Sequence, residues 1–355
     1  MWRITIILII FSILSSNSDA QDLFVKKDIQ GLNGISHNNG VAVADYDKDG
    51  HLDIYVVATE RYIESAETTW SRLYKNNNDA TFTDVTSASG LQGSYDHNLT
   101  LPNLPFFLTG ELRHGASWGD YDNDGYPDLF LTNYVYNKLY HNNGDGSFED
   151  VTTASGLDDQ AECYSTSSMW FDYNNDGLLD LLISAWAFCA DSRMFENNGD
   201  GTFTDVSEKI AFSGDGNTWM TLPVDVNEDG WTDLFFVNDF RSNTLLINNQ
   251  GTFTDETIPY GFLTTDLRNH MGSTYADVDH DGLLDIYISD IDRNSLWMNE
   301  DGHFTNRAVE LGVDKTKWSW QTRFGDMDLD GDQDILTING YDSFHENYLQ
   351  YKWES

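Results

Sequence analysis

One nine-residue pattern, Asp-x-Asp/Asn-x-Asp-Gly-x-x-Asp, occurs six times in this chain, beginning at Asp45, Asp120, Asp172, Asp225, Asp277 and Asp326. The steps between copies are 75, 52, 53, 52 and 49 residues. A period near 50 residues points to stacked units, none of which can cover its own apolar faces without a neighbour. Within a period the order repeats. GASWGDYD (115–122) enters the acidic loop, DLFLTN (128–133) leaves it, and KLYHNN (138–143) and GSFEDVTTASGL (146–157) follow. The β-branched and aromatic residues fit strands, and the Asn-Asn-Gly and Asp-Gly pairs fit hairpin turns. Four short strands per period, with no sustained helical spacing, predict an all-β chain: a single β-propeller of six four-stranded blades. A seventh blade would have to come from the long first step. The extra residues there, 92–112, are too few and read as an insertion loop carrying the one glycosylation sequon, Asn98-Leu99-Thr100.

The ends fit the same scheme. After the sixth acidic loop, DILTING and NYLQYKW (347–353) supply strands and stop one short of four. DLFVKKDIQGL (22–32) looks like TFTDVTSASGL (81–91), so the amino end is expected to supply the missing strand and close the last blade without a free edge. Ahead of it, Arg3, the apolar run Ile4 to Leu14 and the small residues Ser18 and Ala20 read as a signal peptide cut before Gln21. That run is too short for a bilayer core of about 30 Å, so no membrane insertion is expected. The expectation is a secreted protein, extracellular or periplasmic if bacterial, with one propeller domain over residues 21–355.

The formal charge is −40, with 59 acids against 19 bases, which by itself would describe a disordered chain. The 11 Trp, 18 Tyr and 20 Phe supply enough apolar surface to fold, so the acids need another role. A field of this sign also excludes nucleic acid as a partner.

Calcium takes six to eight hard oxygens, and a nine-residue loop with side chains at positions 1, 3, 5 and 9 and a carbonyl at 7 can wrap one ion. The first loop offers Asp45, Asp47, Asp49, the carbonyl of His51, and Asp53. The second offers Asp120, Asp122, Asp124, Tyr126 and Asp128; the third Asp172, Asn174, Asp176, Leu178 and Asp180. The fourth offers Asp225, Asn227, Asp229, Trp231 and Asp233; the fifth Asp277, Asp279, Asp281, Leu283 and Asp285; the sixth Asp326, Asp328, Asp330, Asp332 and Asp334. Clustered carboxylates do not stay ionised together cheaply without a cation between them. About six structural calcium ions are therefore expected. An EF-hand is excluded because its position 12 needs Glu, whereas here that position holds Val56, Leu131, Ile183, Phe236, Ile288 or Thr337.

The unit resembles the FG-GAP or VCBS repeat, the blade of integrin α-chain propellers. WGDYDNDGYPDLFLTN followed by NKLYHNNGDGSFEDVTTASGL resembles the repeats of the cartilage acidic protein family. That resemblance implies calcium in the hairpin loops and an extracellular interaction or cell adhesion role. The chain departs from that family in leaving no length after the last blade for its usual carboxy-terminal domain.

Loops at the opposite ends of the strands are the expected ligand face, by analogy with other propellers. Entering the first strands are His37, Arg113, His114, Trp219, Arg268, His270, Trp320 and Arg323; leaving the second strands are Arg61, Tyr134, Trp186, Asp239, Arg241, Asp290 and Arg293. Six of the ten arginines fall here. Arg, His and Trp on an anionic body suit an acidic glycan or a carboxylate, by bidentate contact and stacking. The same arginines can instead pair with Asp239, Asp290 and Asp292, and the histidines with Asp290 can hold a transition metal. Cys163 and Cys189 flank the third blade at this end and are expected to form a disulfide. Two functions follow. One is a binding module for an extracellular glycan or protein; the other is a polysaccharide lyase or hydrolase with its site at the channel mouth. No Gly-x-Ser-x-Gly or His-Glu-x-x-His motif supports the second.

Overall fold

The structure, a computed structural model, describes residues 29–32, 38–58, 71–91, 113–133, 136–158, 164–186, 192–210, 217–262, 268–316 and 318–339. Five four-stranded antiparallel sheets follow one another, each a meander in chain order. The first holds strands Asn38–Ala44, Asp53–Ala58, Arg72–Asn76 and Phe82–Asp84; the second Arg113–Gly119, Asp128–Asn133, Lys138–Asn142 and Phe148–Asp150. The third holds Tyr164–Phe171, Asp180–Trp186, Arg193–Asn197 and Phe203–Asp205; the fourth Thr218–Val224, Asp233–Asn238, Thr244–Asn248 and Phe253–Asp255. The fifth holds His270–Ala276, Asp285–Asp290, Ser295–Glu300 and His303–Asn306, and a sixth acidic loop joins the pair Ser319–Gly325 and Asp334–Asn339. These are the blades of a β-propeller. Among the described residues no helix is long and apolar enough to cross a membrane.

Two compact units divide the chain: one runs to Thr221 and includes Asn248–Phe253, the other holds Leu222–Ile247 and the chain from Thr254. In the first unit, Tyr55, Val57 and Leu73 of the first blade pack with Leu129, Leu131 and Phe148 of the second. Phe130 and Leu139 of the second then pack with Leu181, Ile183 and Phe195 of the third. In the second unit Tyr287, Leu296 and Met298 pack with Phe324 and Ile335. A second strand covered on both faces carries an apolar middle, and each of Asp53–Ala58, Asp128–Asn133, Asp233–Asn238 and Asp285–Asp290 is buried at every residue, the polar ones included. Each fully buried large side chain there contributes about 1.5–3 kcal/mol.

The expected amino-terminal closing strand lies outside the described residues except for its end. There Gln30 accepts a hydrogen bond at its carbonyl from Phe82 N–H (2.9 Å), as Ser89 does from Phe148 (2.8 Å) and Ser155 from Phe203 (2.9 Å). Residues 29–32 thus stand to the first blade as the ends of the first and second blades stand to the second and third. The insertion 92–112, His37, Arg61, Tyr134, Cys163 and Cys189 also lie outside the described residues.

First strands are interrupted near their starts. Their pairing slips between Asn38 and Gly40, Arg113 and Gly115, His270 and Ser273, and Ser319 and Gln321. Such bulges turn a side chain out of the regular alternation, and His114 and Trp320 are bulged residues.

Candidate metal loops and the opposite strand ends

Each acidic loop joins the first and second strands of its blade, and the backbone takes one shape in all six. Position 4 is left-handed at Lys48, Asn123, Asn175, Glu228, His280 and Leu329, with φ from 57° (Asn175) to 62° (His280 and Leu329). Position 6 is glycine at positive φ throughout, 88° at Gly50 and 99° at Gly331, where a Cβ would be strained.

This path aims backbone N–H groups at the first aspartate. Asp45 accepts from Asp49 N–H at Oδ1 (3.0 Å) and from Gly50 N–H at Oδ2 (2.9 Å). Asp172, Asp225, Asp277 and Asp326 repeat both bonds. Position 5 accepts from the N–H of position 7: Asp124 from Tyr126 (2.7 Å), Asp176 from Leu178 (2.8 Å), Asp229 from Trp231 (2.9 Å) and Asp330 from Asp332 (3.0 Å). His51 and Leu283 make the same bond to Asp49 and Asp281.

In the first five loops the last aspartate opens the buried second strand, so its carboxylate is taken out of water, whereas Asp334 of the sixth is exposed. Asp128, Asp180 and Asp233 are 0% exposed, and Asp53 and Asp285 are 1% exposed. Two backbone N–H groups hold such a carboxylate: Asp180 accepts from Tyr173 (3.1 Å) and Asn197 (2.8 Å). Burial outweighs those bonds. It pushes Asp180 up to about 7 and Asp53 and Asp285 up to about 6, and it raises Asp128 as well. A buried carboxylate raised this far, with other carboxylates beside it, is a poor anion unless a cation is present.

The donor set fits a hard divalent cation. Three carboxylates converge, with one oxygen from each within 4.8 Å of the others, at Asp45, Asp47 and Asp53, at Asp120, Asp122 and Asp124, at Asp277, Asp279 and Asp285, and at Asp326, Asp328 and Asp334. The third and fourth loops carry Asn at position 3, and there the amide donates to the position 5 carboxylate instead. Asn174 reaches Asp176 at 2.9 Å and Asn227 reaches Asp229 at 3.1 Å.

Third strands contribute two groups that sequence reasoning missed. The first is an asparagine that closes the strand. Asn142, Asn197 and Asn299 each donate backbone N–H to the buried aspartate of their own loop (2.8, 2.8 and 2.9 Å). The side-chain amides of Asn142, Asn197 and Asn248 donate to the carbonyls of Tyr46, Tyr121 and Tyr173 in the preceding blade's loop, and Asn299 does the same to Val226. The signal was the recurring Asn in KNN, HNN, ENN, INN and MNE, which turn chemistry alone seemed to explain. The second is the residue just before it. Lys75 bonds Asp47 and lies 3.1 Å from Asp49, whereas His141 faces Asp122 and Asp128.

At the opposite strand ends, the first unit gathers His114, Tyr164, Trp186 and Trp219, all half-buried. Trp186 and Trp219 stack at 5.0 Å between centroids and 23° between planes, and Trp219 stacks on His114 at 5.8 Å and 29°. Tyr164 hydroxyl bonds His114 Nε2. Of the predicted face, then, His114, Trp186 and Trp219 come together in this unit. Tyr164 was not foreseen, and Arg113 is placed only by its strand pairing with Asn133.

The second unit gathers a polar set. His270 Nδ1 donates to the Asn238 carbonyl (3.2 Å) while Nε2 lies 3.8 Å from Asp290 Oδ2. Burial pushes His270 down to about 4 and Asp290 up to about 6. Arg268 donates to the Arg293 carbonyl (3.2 Å), and Asn269 donates to Asp239 (2.7 Å). Trp320 stacks on Trp318 at 5.7 Å, Arg323 donates to the Thr322 carbonyl at 2.8 Å, and Arg241 is half-buried.

The FG-GAP-like repeat is matched at residues 120–183, 172–231, 225–288 and 277–337, each match beginning at the first aspartate of an acidic loop. The chain belongs to the FG-GAP-like repeat family. Among curated relatives, human cartilage acidic protein 1 is 23% identical over 312 residues, covering 70% of this chain and 47% of that protein. The Xenopus tropicalis protein of that name is 27% identical over 187 residues, covering 49% and 28%. This FG-GAP chain spans about half the length of the human relative it matches. Among solved structures, a protein from Lactobacillus plantarum is 11% identical with a TM-score of 0.48, covering 85% of this chain and 77% of that one. A lectin from Agrocybe aegerita that recognises non-reducing terminal N-acetylglucosamine is 20% identical with a TM-score of 0.45, covering 74% and 63%.

Proposed function

We propose that this FG-GAP chain is an exported, calcium-loaded binding module whose ligand is a glycan, free or carried on an extracellular protein. The observation that carries the reading is the stack of Trp186, Trp219 and His114 beside Tyr164. Flat, half-buried rings clustered at one strand end suit the apolar face of a sugar, with the hydroxyl and imidazole at hand for polar contacts. The calcium part rests on the all-oxygen loops. Hard carboxylates in sets of three, two of the sets with a buried member, match calcium's preference, while magnesium holds its waters too strongly for such protein cages. Export rests on the apolar leader and agrees with millimolar-calcium surroundings, in which even weak loops would fill.

The test is a glycan array probed with the calcium-loaded chain, alongside a Trp186→Ala plus Trp219→Ala variant. Saturable binding lost in the variant and retained in an Arg193→Ala control supports the reading. Binding unchanged in the double variant overturns the site, and cleavage of an acidic polysaccharide by the chain replaces a binding module with an enzyme.

A further inference from the structure

His270 opens the first strand of the fifth blade, Asp290 closes the second, and the two residues pair directly across the strands. Their side chains are only 5% and 4% exposed. Nδ1 of His270 lies 3.2 Å from the Asn238 carbonyl, which can only accept, so Nδ1 carries the ring proton. In the neutral ring Nε2 then presents a lone pair. It faces Asp290 Oδ2, a second acceptor, 3.8 Å away. That gap is about 1 Å too long for a hydrogen bond. A single proton placed between the two atoms makes one of them a donor and closes it.

We propose that His270 and Asp290 share one proton and form an acid-sensitive latch on the loop 290–294. The surroundings decide which side moves. His270 is held from behind, since Asp239 and Asn269 form a bridge just ahead of it and Phe240 N–H donates to the Arg268 carbonyl at 2.8 Å. Asp290 instead carries the loop. Its Oδ1 accepts from Asp292 N–H (3.2 Å), its own N–H donates to Asn294 Oδ1 (3.0 Å), and Arg268 bonds the Arg293 carbonyl (3.2 Å). Adding the proton therefore draws the Asp290 carboxyl and the start of the loop toward His270 by about 1 Å. Asn294 anchors the far end through the Tyr287 hydroxyl at 2.7 Å.

Burial is the main influence on both groups, raising Asp290 to about 6 and lowering His270 to about 4. Arg268 lowers both and Asp292 raises Asp290, while the amides of Asp292 and Ile291 lower Asp290 and the Asn238 carbonyl raises His270. Asp239, from the fourth blade, is bonded by Asn269 at 2.7 Å. The latch is thus open at neutral pH and closes in mild acid. A metal ion is a poor alternative occupant: at about 2.1 Å from each atom it would subtend roughly 130° across this gap. Among the described residues no third His, Cys, Asp or Glu ligand converges with the pair.

The experiment uses the whole calcium-loaded chain with nitrogen-15-labelled histidine, His270 being assigned by the signal missing in His270→Gln. At pH 8 Nδ1 should be protonated and Nε2 bare. On acidification the Nε2 signal should shift with a midpoint near about 6, together with the backbone amides of Asp292 and Arg293. In Asp290→Asn the new amide donates to Nε2 at every pH. That variant should lose the transition and hold the loop amides in their acid positions from pH 8 to pH 5. A protonated Nε2 at pH 8, a His270 signal unchanged down to pH 5, or the parent's transition persisting in Asp290→Asn overturns the latch. The parent's own titration decides the matter even if a variant folds poorly. Thermal melts are a weak readout here, because the unfolded chain takes up its own proton at histidine near ~6.5.

Discussion

The side-chain amide of Asn142 donates 2.9 Å to the carbonyl of Tyr46, 96 residues earlier in the chain. Its backbone N–H donates at the same time to Asp128 Oδ1 at 2.8 Å. One fully buried residue therefore ties the first acidic loop, between Asp45 and Asp47, to the last aspartate of the second. The pattern recurs as Asn197 to Tyr121 and Asn248 to Tyr173. Adjacent loops in the first unit are linked through these asparagines.

Replacing Asn142 by Ala strands the carbonyls of Tyr46 and Pro127 in a buried setting, at a cost of about 1–3 kcal/mol. Denaturant unfolding should show that loss. Asn143→Ala, one residue on and exposed, should stay within about 0.5 kcal/mol of the parent. Calcium titration of Asn142→Ala should also show weakened binding at the first loop, since Tyr46 lies between two of its ligands. Equal stabilities for the two variants would refute the link.

Much of this was legible in the chain before any coordinates. The six aspartate loops set the period, and the apolar strand after each loop followed from being covered on both faces. The partners of the loops were not legible, because Asn142, His141 and Lys75 lie in a third strand whose side chains meet the acidic loop only through sheet pairing. Leu129 against Tyr140 is the register that brings His141 and Asn142 to Asp128. Asn-Asn-Gly also reads equally well as a hairpin turn, so its second role left no separate trace. At the other end, Tyr164 joined His114 and Trp219 through neighbouring strands of different blades, contacts that no local pattern encodes.

Stability should depend on pH in opposite senses with and without calcium. In the metal-free protein Asp180, at about 7, and Asp53 and Asp285, at about 6, bind protons more tightly folded than unfolded. Their contribution is complete below the ordinary carboxylate value near ~3.9 and is lost as pH rises through 6 to 7. The chelated chain should thus melt at a lower temperature at pH 8 than at pH 5.5. Calcium binds the ionised forms, so its affinity should fall on acidification through the same window. Thermal melts at both pH values, with chelator or excess calcium, check this; parallel trends in the two series would sink it.

Lys75 acts as an internal cation for the first loop, and its ammonium is held charged by Asp47 and Asp49. Lys75→Gln should lower the melting temperature in chelator, because the carboxylates lose their only counter-charge from the third strand. It should raise calcium affinity at that loop, because the ion no longer displaces an ammonium. Calorimetric titration separates the two effects, and a drop in both quantities would mean that Lys75 only packs.

Leu329 holds the left-handed fourth position of the sixth loop at φ 62° with 67% of its surface exposed. A branched apolar side chain gains nothing by burial there, and left-handed backbone costs it roughly 1–2 kcal/mol. Asn175 and Asn123 fill the equivalent position in other loops with a residue that tolerates this conformation. Leu329→Asn should therefore stabilise the calcium-loaded chain by up to about 1 kcal/mol and slow release of calcium from the sixth loop. Unfolding curves and chelator-driven release kinetics measure both. A loss of stability in calcium would show that the loaded loop does not keep this backbone path.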